Sequence, residues 1–186
     1  MTRRSRRFFG CFLPLTLAAG AVAACGILAF ASRIVVARVA VTTAEMAPTL
    51  RPGVTVYVDN TAFWARSPAR GEVAWVDAPP GRLFRRVVAV PGDTVQVTAG
   101  RAMVNGRRVE EPYAHGTGPD SGPLTLDSDM FFVLANDRDE ADSRQWGPLS
   151  RERVLGSASF MQDPTAGGFQ PVEHGAADDA APGAAP

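Results

Sequence analysis

Short runs in which hydrophobic and polar residues alternate cover most of the chain between residues 33 and 161. The runs are rich in valine and are separated by Gly, Pro, Asp and Asn, a pattern typical of short β-strands joined by turns. The predicted strands are 34–41, 54–59, 71–77, 83–90, 94–99, 102–104 and 130–135. No helical period of about 12 residues occurs after residue 32. The pattern therefore predicts a mostly β domain over residues 33–161.

The N-terminus has a different pattern, because an uncharged apolar run at residues 8–32 follows an arginine-rich start at residues 1–7. The run exceeds the roughly 20 residues that a membrane-spanning helix needs, and the arginines favour a cytoplasmic N-terminus. Two alternatives are a twin-arginine export signal around Arg6 and Arg7 and a lipoprotein signal that ends at Cys25. We favour an uncleaved transmembrane anchor, since the apolar run continues past Cys25. This predicts a single-pass protein of the cytoplasmic membrane that contacts lipid through the N-terminal helix and carries an extracytoplasmic β domain.

Two further segments are predicted to lack regular structure. Residues 162–186 are rich in Ala, Gly, Pro and Asp and contain few apolar side chains, so we expect a disordered tail. Residues 116–123 combine Gly, Pro and Ser and are expected to form a mobile loop.

Charge and composition exclude several classes of function. All 19 acidic residues follow residue 44, and no basic stripe lies outside the N-terminus, so nucleic acid is not expected as a partner. The two histidines, His115 and His174, have no ligand-spaced partners, so neither a metal nor another cofactor is expected. All 19 basic residues are arginine, and the absence of lysine excludes a Ser-Lys mechanism.

Several blocks of sequence, in order, resemble the type I signal peptidases. The blocks are Glu45-Met46-Ala47-Pro48-Thr49-Leu50, Arg85-Arg86-Val87-Val88-Ala89-Val90-Pro91-Gly92-Asp93, Val104-Asn105-Gly106 leading to Glu111-Pro112-Tyr113, and Asp142-Ser143-Arg144-Gln145-Trp146-Gly147. The resemblance covers roughly residues 39–159. It implies a twisted antiparallel β-sheet or partial barrel, held by a membrane anchor at the outer face of the cytoplasmic membrane. Active members of this family remove signal peptides from exported proteins with a Ser nucleophile and a neutral Lys base.

The resemblance also implies that the catalytic positions are substituted. The Ser of the family loop Ser-Met-x-Pro-Thr-Leu is Glu45 in this sequence, and the Lys that precedes Arg-Val-Val is Arg85. A carboxylate offers no hydroxyl, and a guanidinium stays protonated near neutral pH and cannot act as the base. The position that orients the base corresponds to Glu140. Thr43 corresponds to an oxyanion donor, with an ordinary strand threonine as the alternative. We therefore expect no catalytic residues.

The substituted residues are chemically compatible with one another. A planar guanidinium can pair with a carboxylate on each side, so we hypothesise that Glu45, Arg85 and Glu140 form a salt-bridged cluster. Such a cluster would avoid leaving a buried charge unpaired. In the alternative, each side chain points to solvent from a relaxed groove.

Residues around these positions are expected to support the structure. Met46 supplies an apolar anchor for the loop and Pro48 stiffens its exit. Asp142 and Arg144 are expected to form a structural ion pair. Ser143 lies between them without a nearby base in the sequence, which argues against a substitute nucleophile.

Two functions follow from the resemblance. The first is an inactive pseudo-peptidase that binds exported preproteins or extended peptides by strand addition, or assembles with an active signal peptidase. The second is an active signal peptidase I with a non-standard site. An acid protease built on Glu45 and Glu140 is disfavoured, because Arg85 between them would keep both carboxyls ionised.

Overall fold

Residues 36–175 are described by the computed structural model, and they form mainly antiparallel β-strands. The strands are β1 (Val36–Ala40), β2 (Thr55–Asp59), β3 (Val73–Ala78), β4 (Gly81–Ala89), β5 (Thr94–Thr98), β6 (Arg101–Val104), β7 (Arg107–Arg108), β8 (Ser121–Thr125), β9 (Met130–Leu134), β10 (Leu149–Ser150), β11 (Val154–Gln162) and β12 (Phe169–Pro171). A short helix, α1 (Ser143–Trp146), and a 3-10 turn at Arg151–Arg153 complete the described elements. The prediction of a mostly β, antiparallel domain is confirmed.

The predicted anchor at residues 8–32 and the arginine-rich residues 1–7 lie outside the described part of the chain. Between residues 36 and 175, no helix has the length and apolar character needed to cross a membrane.

The strands form two sheets. The larger sheet has the order β1-β2-β11-β3-β4-β9-β10, with β12 added to β11, and the smaller has the order β7-β6-β5-β8. Alternation explains why these sequences form strands: in β2, Val56 and Val58 are buried while Tyr57 between them is partly exposed. Each of the seven strands predicted from the sequence overlaps an observed strand, with boundaries that differ by at most two residues.

Strand β11 lies near the centre of the larger sheet and was not predicted. It pairs with β2, β3 and β12. Its small residues, Gly156, Ser157 and Ala158, interrupt the pattern that marks a strand. A Cβ atom at Gly156 would lie 2.7 Å from the carbonyl oxygen of Asp59 on β2, so the close approach of the two strands requires glycine.

The prediction of a disordered tail is wrong for residues 162–175. Strand β12 pairs antiparallel with the end of β11, and Val172 is buried in the core. The turn between the strands contains Gly167 and Gly168, both with positive φ, which glycine adopts without strain. One buried valine and a glycine turn therefore fold a segment whose average composition resembles disorder. Residues 176–186 lie outside the described part.

Strand β8 takes in residues 121–123 of the predicted loop, so the loop itself is confined to residues 116–120. The amide groups of Thr117 and Gly118 donate hydrogen bonds to the Asp139 carboxylate at 3.2 and 3.0 Å.

Buried side chains hold the site in place from two directions. One apolar cluster packs Met46 and Leu50 against β2, β11 and Phe84 of β4. Another joins β4 and β9 to the smaller sheet through residues such as Val95 and Leu134. The middle of β4 is thus fixed between the loop at residues 45–50 and the smaller sheet.

Candidate functional site

The loop at residues 45–50 is a tight turn anchored by its apolar side chains. Met46 and Leu50 are buried, and the Leu50 amide donates to the Met46 carbonyl at 2.9 Å. The Ala47 amide donates to the carbonyl of Ala44 at 2.8 Å, and the Ala47–Pro48 peptide bond is cis. The turn leaves the Glu45 side chain at the edge of the core, 22% exposed.

Arg85, on β4, lies directly against Glu45. Its Nη1 atom donates to Glu45 Oε2 at 2.7 Å and to the Phe84 carbonyl at 2.7 Å. Its Nε and Nη2 atoms donate to the Ala141 carbonyl at 3.1 and 2.6 Å. The Arg85 side chain is only 2% exposed, so these protein acceptors take the place of water around the guanidinium. The prediction that Glu45 and Arg85 form a salt bridge is confirmed.

Glu140 does not join this cluster, and that part of the hypothesis is wrong. Glu140 is exposed, and the backbone carbonyl of the next residue, Ala141, accepts hydrogen bonds from Arg85 in its place. A neutral carbonyl costs less to remove from water than a second carboxylate does, which explains why one ion pair suffices. The pattern of side chains alone could not reveal a backbone acceptor.

The hydroxyl groups near the core serve structural roles. Ser143 Oγ is buried and accepts a hydrogen bond from the Val133 amide at 3.0 Å. Ser157 Oγ is buried and donates to Glu72 at 2.6 Å. Burial alone would raise the pKa of Glu72, but hydrogen bonds from Arg66 and Ser157 outweigh it and lower the pKa, so this carboxylate is a weak base. Thr43 is exposed, and its role as an oxyanion donor stays a prediction.

Arg86, the neighbour of Arg85 on β4, was missed as a site residue. It is 1% exposed and donates to Thr49 Oγ1 at 2.9 Å, to Asn136 Oδ1 at 3.3 Å and to the Gly71 carbonyl at 2.7 Å. Its guanidinium lies 3.8 Å from the centre of the Tyr113 ring. Burial lowers the pKa of Arg86 and raises the pKa of Tyr113 to about 12. No local pattern in the sequence indicates this role, because Thr49, Asn136 and Gly71 are distant from Arg86 along the chain.

Residues that follow β9 fix the backbone of the loop. Asn136 Nδ2 donates to the Met46 carbonyl at 2.9 Å and to Thr49 Oγ1 at 3.1 Å. The Asp137 amide donates to the Glu45 carbonyl at 3.0 Å. The conformation of the loop therefore depends on β4 and on the end of β9 together.

The block that begins at Asp142 has the structural role expected of it. The buried Asp142 carboxylate accepts from the Arg144 side chain at 2.8 Å and caps α1 by accepting from the Arg144 amide at 3.0 Å. Arg144 also donates to the Arg138 and Thr117 carbonyls, which ties the loop at residues 116–120 to the domain. The predicted ion pair between Asp142 and Arg144 is confirmed.

Metal-ligating side chains are dispersed in the described region. Within residues 36–175, no group of three or more His, Cys, Asp or Glu side chains is placed to hold a metal ion. His174 Nδ1 instead accepts a hydrogen bond from the Val73 amide at 3.1 Å, and His115 lies 3.7 Å from Asp137.

Comparison with known proteins gives one family. A family model described as "Signal peptidase, peptidase S26" matches residues 15–162. A probable signal peptidase I-2 of Synechocystis sp. is 32% identical over 124 residues, which cover 61% of this chain and 57% of that protein. A signal peptidase I of Leptolyngbya laminosa is 34% identical over 128 residues, which cover 61% of this chain and 62% of that protein. The chain thus spans about three fifths of the length of these relatives. The crystal structure of a signal peptidase I from Enterococcus faecalis aligns with a TM-score of 0.44 and 24% identity, covering 50% of this chain and 97% of that one.

Proposed function

The chain belongs to the signal peptidase S26 family, and we propose that it is a pseudo-peptidase of that family, which binds extended peptides of exported preproteins without cleaving them. The observation that carries this proposal is the ion pair between Glu45 and Arg85. These residues occupy the two positions that would have to supply a hydroxyl nucleophile and a neutral base. Neither side chain can do so, because one has no hydroxyl and the other remains a cation.

The geometry of Arg85 argues against a rearrangement that would restore chemistry. Its guanidinium is held by Glu45, by the Phe84 carbonyl and by the Ala141 carbonyl, and it is almost wholly shielded from water. Moving it away would leave the Glu45 carboxylate without its partner and the guanidinium without its acceptors. The pair therefore supports a fixed, non-catalytic site.

The edge of the larger sheet supports peptide binding. Strand β1 is the outermost strand of that sheet, and the chain runs from it, through residues 41–44, into the loop that carries Glu45. The outer edge of such a strand presents unpaired N–H and C=O groups to which an extended peptide can add as a further strand. Glu45, still 22% exposed, follows the end of β1 by five residues in the chain. The anchor proposed at residues 8–32 would be surrounded by lipid and would tether the chain to the outer face of the cytoplasmic membrane. An active signal peptidase is a further proposed partner.

A second candidate is an active signal peptidase I with a non-standard site, and the names of the relatives favour it. It would need another nucleophile and base. The buried serines of the described region, Ser143 and Ser157, are both engaged in structural hydrogen bonds. We favour the pseudo-peptidase, because Arg85 stays protonated and the chain contains no lysine that could act as the base.

Peptide binding tests the proposal directly. Fluorescence anisotropy with a labelled signal peptide that spans its cleavage boundary should show saturable binding to the detergent-purified full chain, with the peptide recovered intact. A Glu140→Ala variant is the matched control and should bind the peptide as the natural protein does, since Glu140 is exposed and lies outside the ion pair. The variant Glu45→Ser, Arg85→Lys should bind the same peptide, and any cleavage by it would show that the groove is retained. Absence of binding by the natural protein contradicts the proposal.

A further inference from the structure

The end of the described chain forms an ordered segment at residues 169–175, here called the clamp. Its first part is β12, which pairs with the end of β11. The Val172 amide then donates to the Ser159 carbonyl at 3.1 Å, and the Val172 side chain is buried in the same apolar cluster as Met46 and Leu50. The clamp therefore shares a core with the loop that carries Glu45.

The last residues of the clamp fit closely against the turn before β3. The Gly175 amide donates to the Gly71 carbonyl at 2.9 Å, and His174 Nδ1 accepts from the Val73 amide at 3.1 Å. A Cβ atom at Gly71 would lie 2.3 Å from the Gly175 carbonyl oxygen. Such an approach is possible only because Gly71 has no side chain, so the clamp has a specific seat.

Arg86 links the clamp to the loop. On the clamp side it donates to the Glu173 carbonyl at 3.3 Å and to the Gly71 carbonyl, which also receives the Gly175 amide. On the loop side it donates to Thr49 Oγ1 at 2.9 Å. A continuous chain of hydrogen bonds thus runs from the clamp through one buried guanidinium to the loop.

A cavity of about 710 Å³ separates the clamp from the exposed side of the loop. Pro48 and Thr49 line it on the loop side, and Gln170 and Glu173 line it on the clamp side. Arg86 and the shared apolar core are the connections between the two segments. Departure of the clamp would break its pairing with β11 and its hydrogen bonds to Gly71 and Val73, and would expose Val172.

We propose that the clamp sets the conformation of the loop that carries Glu45, with Arg86 as the positioning residue, and that release of the clamp loosens the peptide site. The effect on peptides rests on the function proposed above, whereas the coupling between clamp and loop does not. When the clamp leaves, Arg86 loses the Glu173 carbonyl and the cover above it, and water reaches the guanidinium. Its bond to Thr49 then competes with hydration, and the loop gains freedom.

Hydrogen exchange of backbone amides in the full-length protein tests the coupling. The Val172→Ala variant removes part of the buried anchor of the clamp. The Leu50 amide is hydrogen-bonded within the loop, and the Asp137 amide donates to the Glu45 carbonyl. In the variant, both amides should exchange roughly tenfold faster. Amides that join β5 to β6 should keep their rates. Glu173→Ala is the matched control, since it keeps both the buried Val172 side chain and the backbone carbonyl that accepts from Arg86.

Two results would overturn the coupling. The first is faster exchange at the Val172 and Gly175 amides with unchanged rates at Leu50 and Asp137. The second is an equal acceleration of all amides in Val172→Ala, which indicates global destabilisation, together with unchanged exchange rates of the loop amides in the milder His174→Ala variant.

Peptide anisotropy on the same variants separates this inference from the proposed function. Weaker peptide binding by Val172→Ala than by Glu173→Ala supports regulation of the site by the clamp. Equal affinities together with a loosened loop contradict that regulation. If even the natural protein binds no peptide, the proposed function fails, while the exchange rates still decide the coupling.

Discussion

Replacement of Arg85 by alanine should destabilise the domain strongly. The Arg85 guanidinium is buried and donates to Glu45, to the Phe84 carbonyl and to the Ala141 carbonyl. The Arg85→Ala variant removes all these bonds, leaves a cavity in the middle of β4 and leaves the Glu45 carboxylate without its cation.

The structure gives the size of the effect. Loss of one partner of a buried ion pair costs about 3–5 kcal/mol of the free energy of unfolding. Glu45 is 22% exposed, and water can partly replace the guanidinium, so the lower end, about 3 kcal/mol, applies. For a chain of this size, that loss lowers the thermal midpoint by roughly 6–12 °C.

Thermal and urea unfolding, followed by circular dichroism, measure this change. The matched control is Arg82→Ala, because Arg82 lies on the same strand and is exposed. Its free energy of unfolding should stay within about 0.5 kcal/mol of the natural value. A double-mutant cycle with Glu45→Ala should give a coupling of about 1 kcal/mol or more between the two side chains. Equal midpoints for Arg85→Ala and Arg82→Ala would refute the reasoning, because the guanidinium would then contribute nothing to stability.

Three further predictions concern the rest of the domain. Burial lowers the pKa of His174, so folding favours its neutral ring. The contribution of His174 to stability is therefore full above about pH 6.5 and falls as the pH drops below that value toward the folded-state pKa. Thermal midpoints between pH 5 and 7.5 should detect this loss, and His174→Ala should reduce it. Gly156→Ala should cost about 1–3 kcal/mol in urea unfolding, because its Cβ would meet a β2 carbonyl at 2.7 Å, whereas Gly122→Ala, with open space around it, should cost little. Arg138→Ala should cost about 3–5 kcal/mol, since it leaves the fully buried Glu111 without its ion-pair partner, and a chemical-denaturation midpoint close to the natural one would contradict this.

The sequence revealed the parts of the fold in which side chains alternate regularly. Strands such as β2 and β5 place valines on one face and polar residues on the other, and both were predicted. Strand β11 is not predicted by the local pattern, because Gly156 and its small neighbours are required by the close approach of β2. This is a tertiary contact that a local pattern does not contain. The order of residues 162–175 is not predicted for a similar reason, because this segment packs through Val172 and against Gly71, which is distant in the sequence.

The candidate site was predictable where it depends on side chains at motif positions. Opposite charges at the positions of Glu45 and Arg85 predicted their contact, which the structure contains. The prediction of Glu140 as the third member is wrong, because the Ala141 backbone carbonyl accepts the bonds, and residue types do not indicate the direction of a carbonyl. Arg86 was overlooked because its partners, Thr49 and the Gly71 carbonyl, come together only in the folded domain.

The central claim is that the paired Glu45 and Arg85 have replaced peptidase chemistry. Cleavage of a fluorogenic signal-peptide substrate by the detergent-purified full chain tests it most directly, with the Glu45→Ala, Arg85→Ala double variant measured beside it. We predict that the natural protein releases product no faster than the double variant, which itself matches the buffer. Cleavage at the signal-peptide boundary by the natural protein would contradict the claim.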